Sequence, residues 1–233
     1  MKKRFYLSIM ITAIMLASLG LVSVSSLAAE AEDILAEIQK KYQDVTGLSA
    51  DYVRVTQTPA MEGLFKSTST NTASGLILFK KPAKLILNQA QPRTENLVTD
   101  GQTVWWYIPD ENLVHQYSKV DVYGELKPLL DFLGGLGGLK GEFKVQVTPA
   151  GTGGETTHRL DLERLKPGSG PASITVWCDP RTNDLTAFQF KSLTGETTTF
   201  TLNHVQLNPG LNDTLFVFRV PPGAEVVEEE GGM

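Results

Sequence analysis

The fold is legible first in Glu95-Asn96-Leu97-Val98-Thr99-Asp100-Gly101-Gln102-Thr103-Val104-Trp105-Trp106-Tyr107-Ile108. Two runs rich in β-branched and aromatic residues flank Asp100-Gly101, a pair that tolerates the positive φ of a tight hairpin turn. Alternation along the second run puts Trp105 and Trp106 on opposite faces. Working outward, the same period of two returns in Leu48–Thr56, Ser74–Lys80, Lys84–Gln89, Leu113–Tyr117, Phe143–Val147, Thr157–Leu162, Ser173–Cys178, Leu185–Ser192, Thr197–Leu207 and Phe216–Val220. Pro109-Asp110, Asp179-Pro180 with Asn183-Asp184, and Gly195 mark further reversals. Twelve such segments with hardly any helical crossover predict a mainly β protein: one large curved antiparallel sheet, closed as a barrel or partly open.

Two stretches depart from that period. Between Glu30 and Val45, the residues Ile34, Ile38, Tyr42 and Val45 recur every three or four positions, with Leu35 widening the stripe, and Gly47 stops the helix. Glu125–Leu133 places Leu126, Leu129, Leu130 and Leu133 at helical spacing, with Pro128 fitting the first turn. The glycine-rich run from Gly134 to Gly141 follows it and reads as a hinge.

The chain has 233 residues, 41% hydrophobic and 20% charged, a globular composition that argues against disorder and against a polytopic membrane protein. Its first 28 residues have the three parts of a secretory signal: basic Lys2-Lys3-Arg4, an uncharged stretch from Phe5 to Leu27, and small residues at Ser26 and Ala28. Cleavage after Ala28 is the expectation, since seven serine, threonine and glycine residues dilute the stretch; the alternative is an uncleaved anchor. No cysteine stands directly after Ala28 to carry a lipid, so the processed chain should be free in the periplasm, as a monomer. It would carry 18 basic against 26 acidic side chains, which argues against nucleic acid as partner. The domain reading is 1–28 as signal peptide, 29–227 as one domain and 228–233 as a flexible acidic tail.

Motifs for catalysis are missing. His115, His158 and His204 have no paired spacing, no G-x-S-x-G occurs, and the glycine run fits neither phosphate-binding pattern. The single cysteine, Cys178, ends an apolar strand and reads as a small buried hydrophobe. The residues predict neither enzyme nor cofactor, and no metal site.

Taken in order, Gly75-Leu76-Ile77-Leu78-Phe79-Lys80-Lys81-Pro82, Leu85-Ile86-Leu87, Val98-Thr99-Asp100-Gly101 and Val104-Trp105-Trp106-Tyr107-Ile108-Pro109-Asp110 resemble the periplasmic lipoprotein carriers of the LolA family. Leu185–Phe188, Thr194–Thr198, Asn203-His204-Val205, Phe216–Phe218 and Pro221–Val226 look like that family's closing strands. The resemblance implies an unclosed half-barrel whose concave face is covered by helices acting as a lid. It also implies a carrier that takes acylated lipoproteins from an inner-membrane LolCDE-type ABC transporter to a LolB-type outer-membrane receptor, without cofactor or reaction. Lys81 falls where the family has an arginine that holds the lid closed. Lysine keeps the charge and loses the bidentate fork.

A carrier of acyl chains needs an apolar cavity, and a curved sheet supplies one from inward side chains: Leu76, Leu78, Leu85, Leu87, Val104, Trp106, Ile174 and Val176 are the candidates. Leu126, Leu129, Leu130, Phe132 and Leu133 would form the lid, with Lys81 as its latch. Two other binding readings remain: a sensor of mislocalised lipoproteins of the RseB kind, and a carrier of another lipid. An enzyme is a further alternative, for which no constellation is found.

Overall fold

The structure, a computed structural model, describes residues 29–62, 65–118, 143–166 and 171–230. The signal segment 1–28, the lid candidates Leu126, Leu129, Leu130, Phe132 and Leu133, and the glycine run behind them lie outside the described residues.

Among the described residues a helix over residues 29–43, α1, precedes twelve strands. They are β1 (Gly47–Glu62), β2 (Phe65–Lys80), β3 (Lys84–Gln91), β4 (Glu95–Thr99), β5 (Thr103–Ile108), β6 (Leu113–Ser118), β7 (Phe143–Thr148), β8 (His158–Arg164), β9 (Ser173–Cys178), β10 (Leu185–Lys191), β11 (Thr197–Leu207) and β12 (Glu225–Glu230). All join one sheet in the order β12-β6-β5-β4-β3-β2-β1-β11-β10-β9-β8-β7. Its ends do not meet, so the architecture is an unclosed barrel, antiparallel except where β12 runs parallel to β6. Val104 and Leu160 stand eight strand positions apart, about 38 Å in a flat sheet, yet both join one core with α1. The sheet therefore curls around the helix.

Local chemistry explains the turn that anchored the sequence reading. Asp100 Oδ1 accepts from the backbone N–H groups of Gln102 at 2.8 Å and Thr103 at 2.9 Å, and Gly101 takes φ +99°. Gly75 answers a different demand. The β2–β3 register shifts beside it, and a Cβ there would stand 1.9 Å from the Asn88 carbonyl oxygen, so only glycine lets the two backbones approach.

Both faces of β2, β3 and β4 are covered. On the concave side Ile34, Ile38, Tyr42 and Val45 of the α1 segment pack with Leu48, Ala50, Ile77, Phe79, Leu85 and Leu87. On the convex side the C-terminal segment lays Phe216, wholly buried, against Ile86 and Val98, with Leu78, Leu211 and Phe218 beside them. Phe218 also stacks on Trp105, ring centroids 5.9 Å apart. Lys80 and Lys84 hold Asp213 at 2.6 and 3.1 Å, fixing this strap and keeping the Asp213 carboxyl below its usual range.

Three expectations need correction. Phe216–Val220 is not a strand: Asp213–Phe216 forms a 3-10 turn capped by Asn212, because Phe216 is drawn onto the convex face instead of into a ladder. The last strand is Glu225–Glu230, so Glu228, Glu229 and Glu230 pair with β6 and are not a frayed tail; an edge strand tolerates charge that a central one would not. Finally, β1 and β2 run longer than their apolar alternation, pairing from Gly47↔Lys80 to Glu62↔Phe65. β11 stops opposite Gln57, and the rest is a two-stranded ribbon rich in serine and threonine.

Candidate functional site

Strand pairing orders the concave face into rows. The first runs Leu48, Phe79, Leu85, Thr99, Val104 and Tyr117 across β1 to β6, and the second Ala50, Ile77, Leu87, Leu97, Trp106 and His115. The third turns polar: Tyr52, Gly75, Gln89 and Glu95. From Arg54 the ladder in the other direction is apolar throughout: Phe200, Phe188, Val176, Leu160 and Val147. The next one crosses Phe190, Ile174, Leu162 and Val145. Phe188 stacks on Phe200 with centroids 4.8 Å apart and meets Phe190 at 5.3 Å. Such a surface suits hydrocarbon; Phe200, Phe188, Val176, Leu160, Ile174 and Leu162 on it are buried, and Val145 and Val147 at its edge are partly so.

Six of the eight residues expected to line a cavity, Leu85, Leu87, Val104, Trp106, Ile174 and Val176, share this face. Leu76 and Leu78 stand on the opposite one. Leu76 pairs with Asp51 and Asn88, Leu78 with Ser49 and Ile86. The unbroken run Leu76-Ile77-Leu78-Phe79 gave no phase, because both faces there are covered. Leu76 instead borders an open groove of about 650 Å³ that also meets Asp51, Val53, Ser74, Asn88 and Asn203.

Helix α1 is held over the concave face chiefly at its C-terminal end. Tyr42 Oη accepts the Leu185 backbone N–H at 2.7 Å, and burial pushes that hydroxyl's pKa upward. Lys41 Nζ donates to Asp184 Oδ1 and to the Thr182 carbonyl, both at 2.6 Å. Burial works against ionisation of Asp184, but the hydrogen bonds from Lys41 and Thr182 outweigh it and hold that carboxyl below its usual range. Asn183 Nδ2 donates to Glu37 Oε2 at 3.0 Å. From the other side Lys81 Nζ reaches the Gln43 carbonyl at 3.3 Å, where a cation also meets the negative end of the helix dipole. The described partner of Lys81 is thus α1.

Sequence reasoning missed the polar members of the face. Arg54 Nη2 donates to Gln89 Oε1 at 3.1 Å, and Gln89 Nε2 to the Arg93 carbonyl at 3.0 Å. Glu95 accepts from Arg93 Nε at 2.6 Å and from Trp106 Nε1 at 3.0 Å. The trace was present: Arg54 continues the phase of Leu48, Ala50 and Tyr52, and Gln89 that of Leu85 and Leu87. Cys178 is fully buried, and desolvation pushes its thiol up to about 12. Among the described residues no group of three His, Cys, Asp or Glu side chains is placed to hold a metal, and no helix is long and apolar enough to cross a membrane.

The sequence profile of the family described as outer membrane lipoprotein carrier protein LolA matches residues 43–219. The outer-membrane lipoprotein carrier protein of Bordetella avium is 30% identical over 214 residues, covering 91% of this chain and 94% of that protein. That of Idiomarina loihiensis is 26% identical over 217 residues, covering 93% and 98%. A crystal structure of a LolA superfamily protein from Nitrosomonas europaea aligns with a TM-score of 0.42 at 12% identity, covering 81% of this chain and 97% of that one. With most of its length matched by the profile, this chain belongs to the LolA family of outer-membrane lipoprotein carrier proteins.

Proposed function

We propose that this protein is a periplasmic carrier that shelters the acyl chains of lipoproteins released from the inner membrane and delivers them to the outer membrane. The observation that carries the reading is the largely apolar concave face of a curled sheet packed under helix α1, in a chain of this family. Three acyl chains of roughly 15 CH₂ groups, at about 0.8 kcal/mol each, would cost tens of kcal/mol if left in water. Phe188, Phe190, Phe200, Leu87, Ile174 and Val176 supply the lining, and α1 must yield ground for the chains to enter. Lys81 steadies α1, and the helical spacing of Leu126, Leu129, Leu130, Phe132 and Leu133 makes them the further cover. After cleavage behind Ala28 the chain would receive cargo from a LolCDE-type transporter and pass it to a LolB-type receptor.

Isolation of the protein from periplasm after in vivo photocrosslinking from Phe190 tests this. Recovery of several different acylated lipoproteins, identified by mass spectrometry, is the expected result. Recovery of a single membrane-anchored regulator, or of free phospholipid alone, would overturn it in favour of a sensor or of another lipid's carrier.

A further inference from the structure

Arg54 is a cation set among apolar neighbours. It follows Tyr52 in the concave phase of β1 and pairs with Phe200 on one side and Ala73 on the other, both almost fully buried. The residue itself is half-buried. A guanidinium carries five N–H donors. Among the described residues one of them is used, on Gln89 Oε1, and no carboxylate forms an ion pair with Arg54. Glu95, on the same face, is already engaged by Arg93 and the Trp106 indole. Gln89 cannot turn away, since its amide nitrogen is tied to the Arg93 carbonyl. The Arg54 charge is felt on that face: it opposes the rise that burial imposes on the Tyr52 hydroxyl.

A partly desolvated cation with spare donors is costly unless acceptors meet it. Arg54 also stands where the two chemistries of the concave face meet: its own row continues through Phe200 to Phe188, and the adjacent Tyr52 row runs through Gly75 to Gln89 and Glu95. The ester and amide carbonyls that join acyl chains to a lipoprotein's terminal cysteine lie at the same kind of boundary in the ligand. They must keep a hydrogen bond when they leave water.

We propose that Arg54, oriented by Gln89, binds the carbonyl oxygens at the junction between the acyl chains and the polar part of the cargo. The chains then lie on the Phe188–Phe200 side, and the polypeptide leaves past Gln89 and Glu95. This rests on the acyl-chain reading given above. The planar guanidinium presents parallel donors to neighbouring carbonyls, which a lysine ammonium does not.

The test compares two probes on the processed full-length chain: a synthetic dipalmitoylglyceryl-cysteine lipopeptide, and N-phenyl-1-naphthylamine, which is apolar and has no carbonyl. Arg54→Met keeps the aliphatic stem, and Arg54→Lys keeps the charge as a second, gentler variant; circular dichroism reports the fold of each. Arg54→Met is expected to weaken lipopeptide binding about tenfold, with Arg54→Lys recovering only part of the loss, while the naphthylamine affinity stays at the wild-type value. Unchanged lipopeptide affinity in both variants overturns the proposal, as does an equal loss for both probes. A wild-type chain that takes up the naphthylamine but no lipopeptide overturns the carrier reading itself, before any variant is compared.

Discussion

The concave face has two halves made of the same sheet and facing the same core, and they differ in kind. From β11 to β7 its rows carry Phe200, Phe188, Phe190, Ile174 and Leu162, with Thr198 opposite Phe190 and Arg164 at the far end of β8 over the Phe143 ring. From β1 to β6 two mainly apolar rows, holding Thr99 and His115, give way to Gln89 and Glu95, with the Trp106 indole and Arg93 tied to the latter. One half suits material that only needs to leave water. The other offers directed hydrogen bonds. The way α1 is tethered follows the same division: a charged pair, Lys41–Asp184, on the β10 side, and an uncharged acceptor, the Gln43 carbonyl, for Lys81 on the β2 side.

The largest expected effect breaks the apolar half. Phe188→Ala should cost about 3–5 kcal/mol in urea denaturation, because the ring is 1% exposed and packs on two other phenylalanines. A loss below about 1 kcal/mol would show that this half is not the packed one. On the polar half, Trp106→Phe keeps the aromatic body and removes the donor to Glu95, so thermal unfolding should report a loss of about 0.5–1.5 kcal/mol. A cost equal to that of Phe188→Ala would erase the distinction.

Acid sharpens the comparison at its smallest scale. Asp184 is held below its ordinary value of 3.8, so the stability it adds is fully present above that value and is lost as pH falls through its lower folded-state value. Its side chain is 41% exposed, so the gain is at most about 1 kcal/mol after solvent screening. Asp184→Asn should remove that part of the acid dependence, read from urea midpoints between pH 5 and 3. The Lys81 contact has no carboxylate, and Lys81→Leu should leave the slope unchanged; parallel slopes in all three proteins would break the pairing of tether with half.

How much could be read in advance depended on the range of each interaction. The Asp100-Gly101 turn and eleven of the twelve strands carry their causes within a few residues, and α1 carries its stripe of Ile34, Ile38, Tyr42 and Val45. The phase of Leu76–Phe79 was hidden because what covers each side comes from far away in the chain, α1 on one face and Phe216 on the other. The Phe216–Val220 and Glu225–Glu230 segments were misjudged for the same reason: a β-branched, aromatic run became a strap, and an acidic one became a strand.

The amino-acid sequence by itself determined the meander, its reversals and the apolar character of a face, since alternation, turn chemistry and helical spacing act between near neighbours. Only the tertiary structure decided which side of each strand is concave, that Arg54 and Gln89 meet across the β1–β3 span, and that the acidic end closes one edge. Those outcomes depend on which distant segment removes water from a surface, and period-two alternation looks the same from either side.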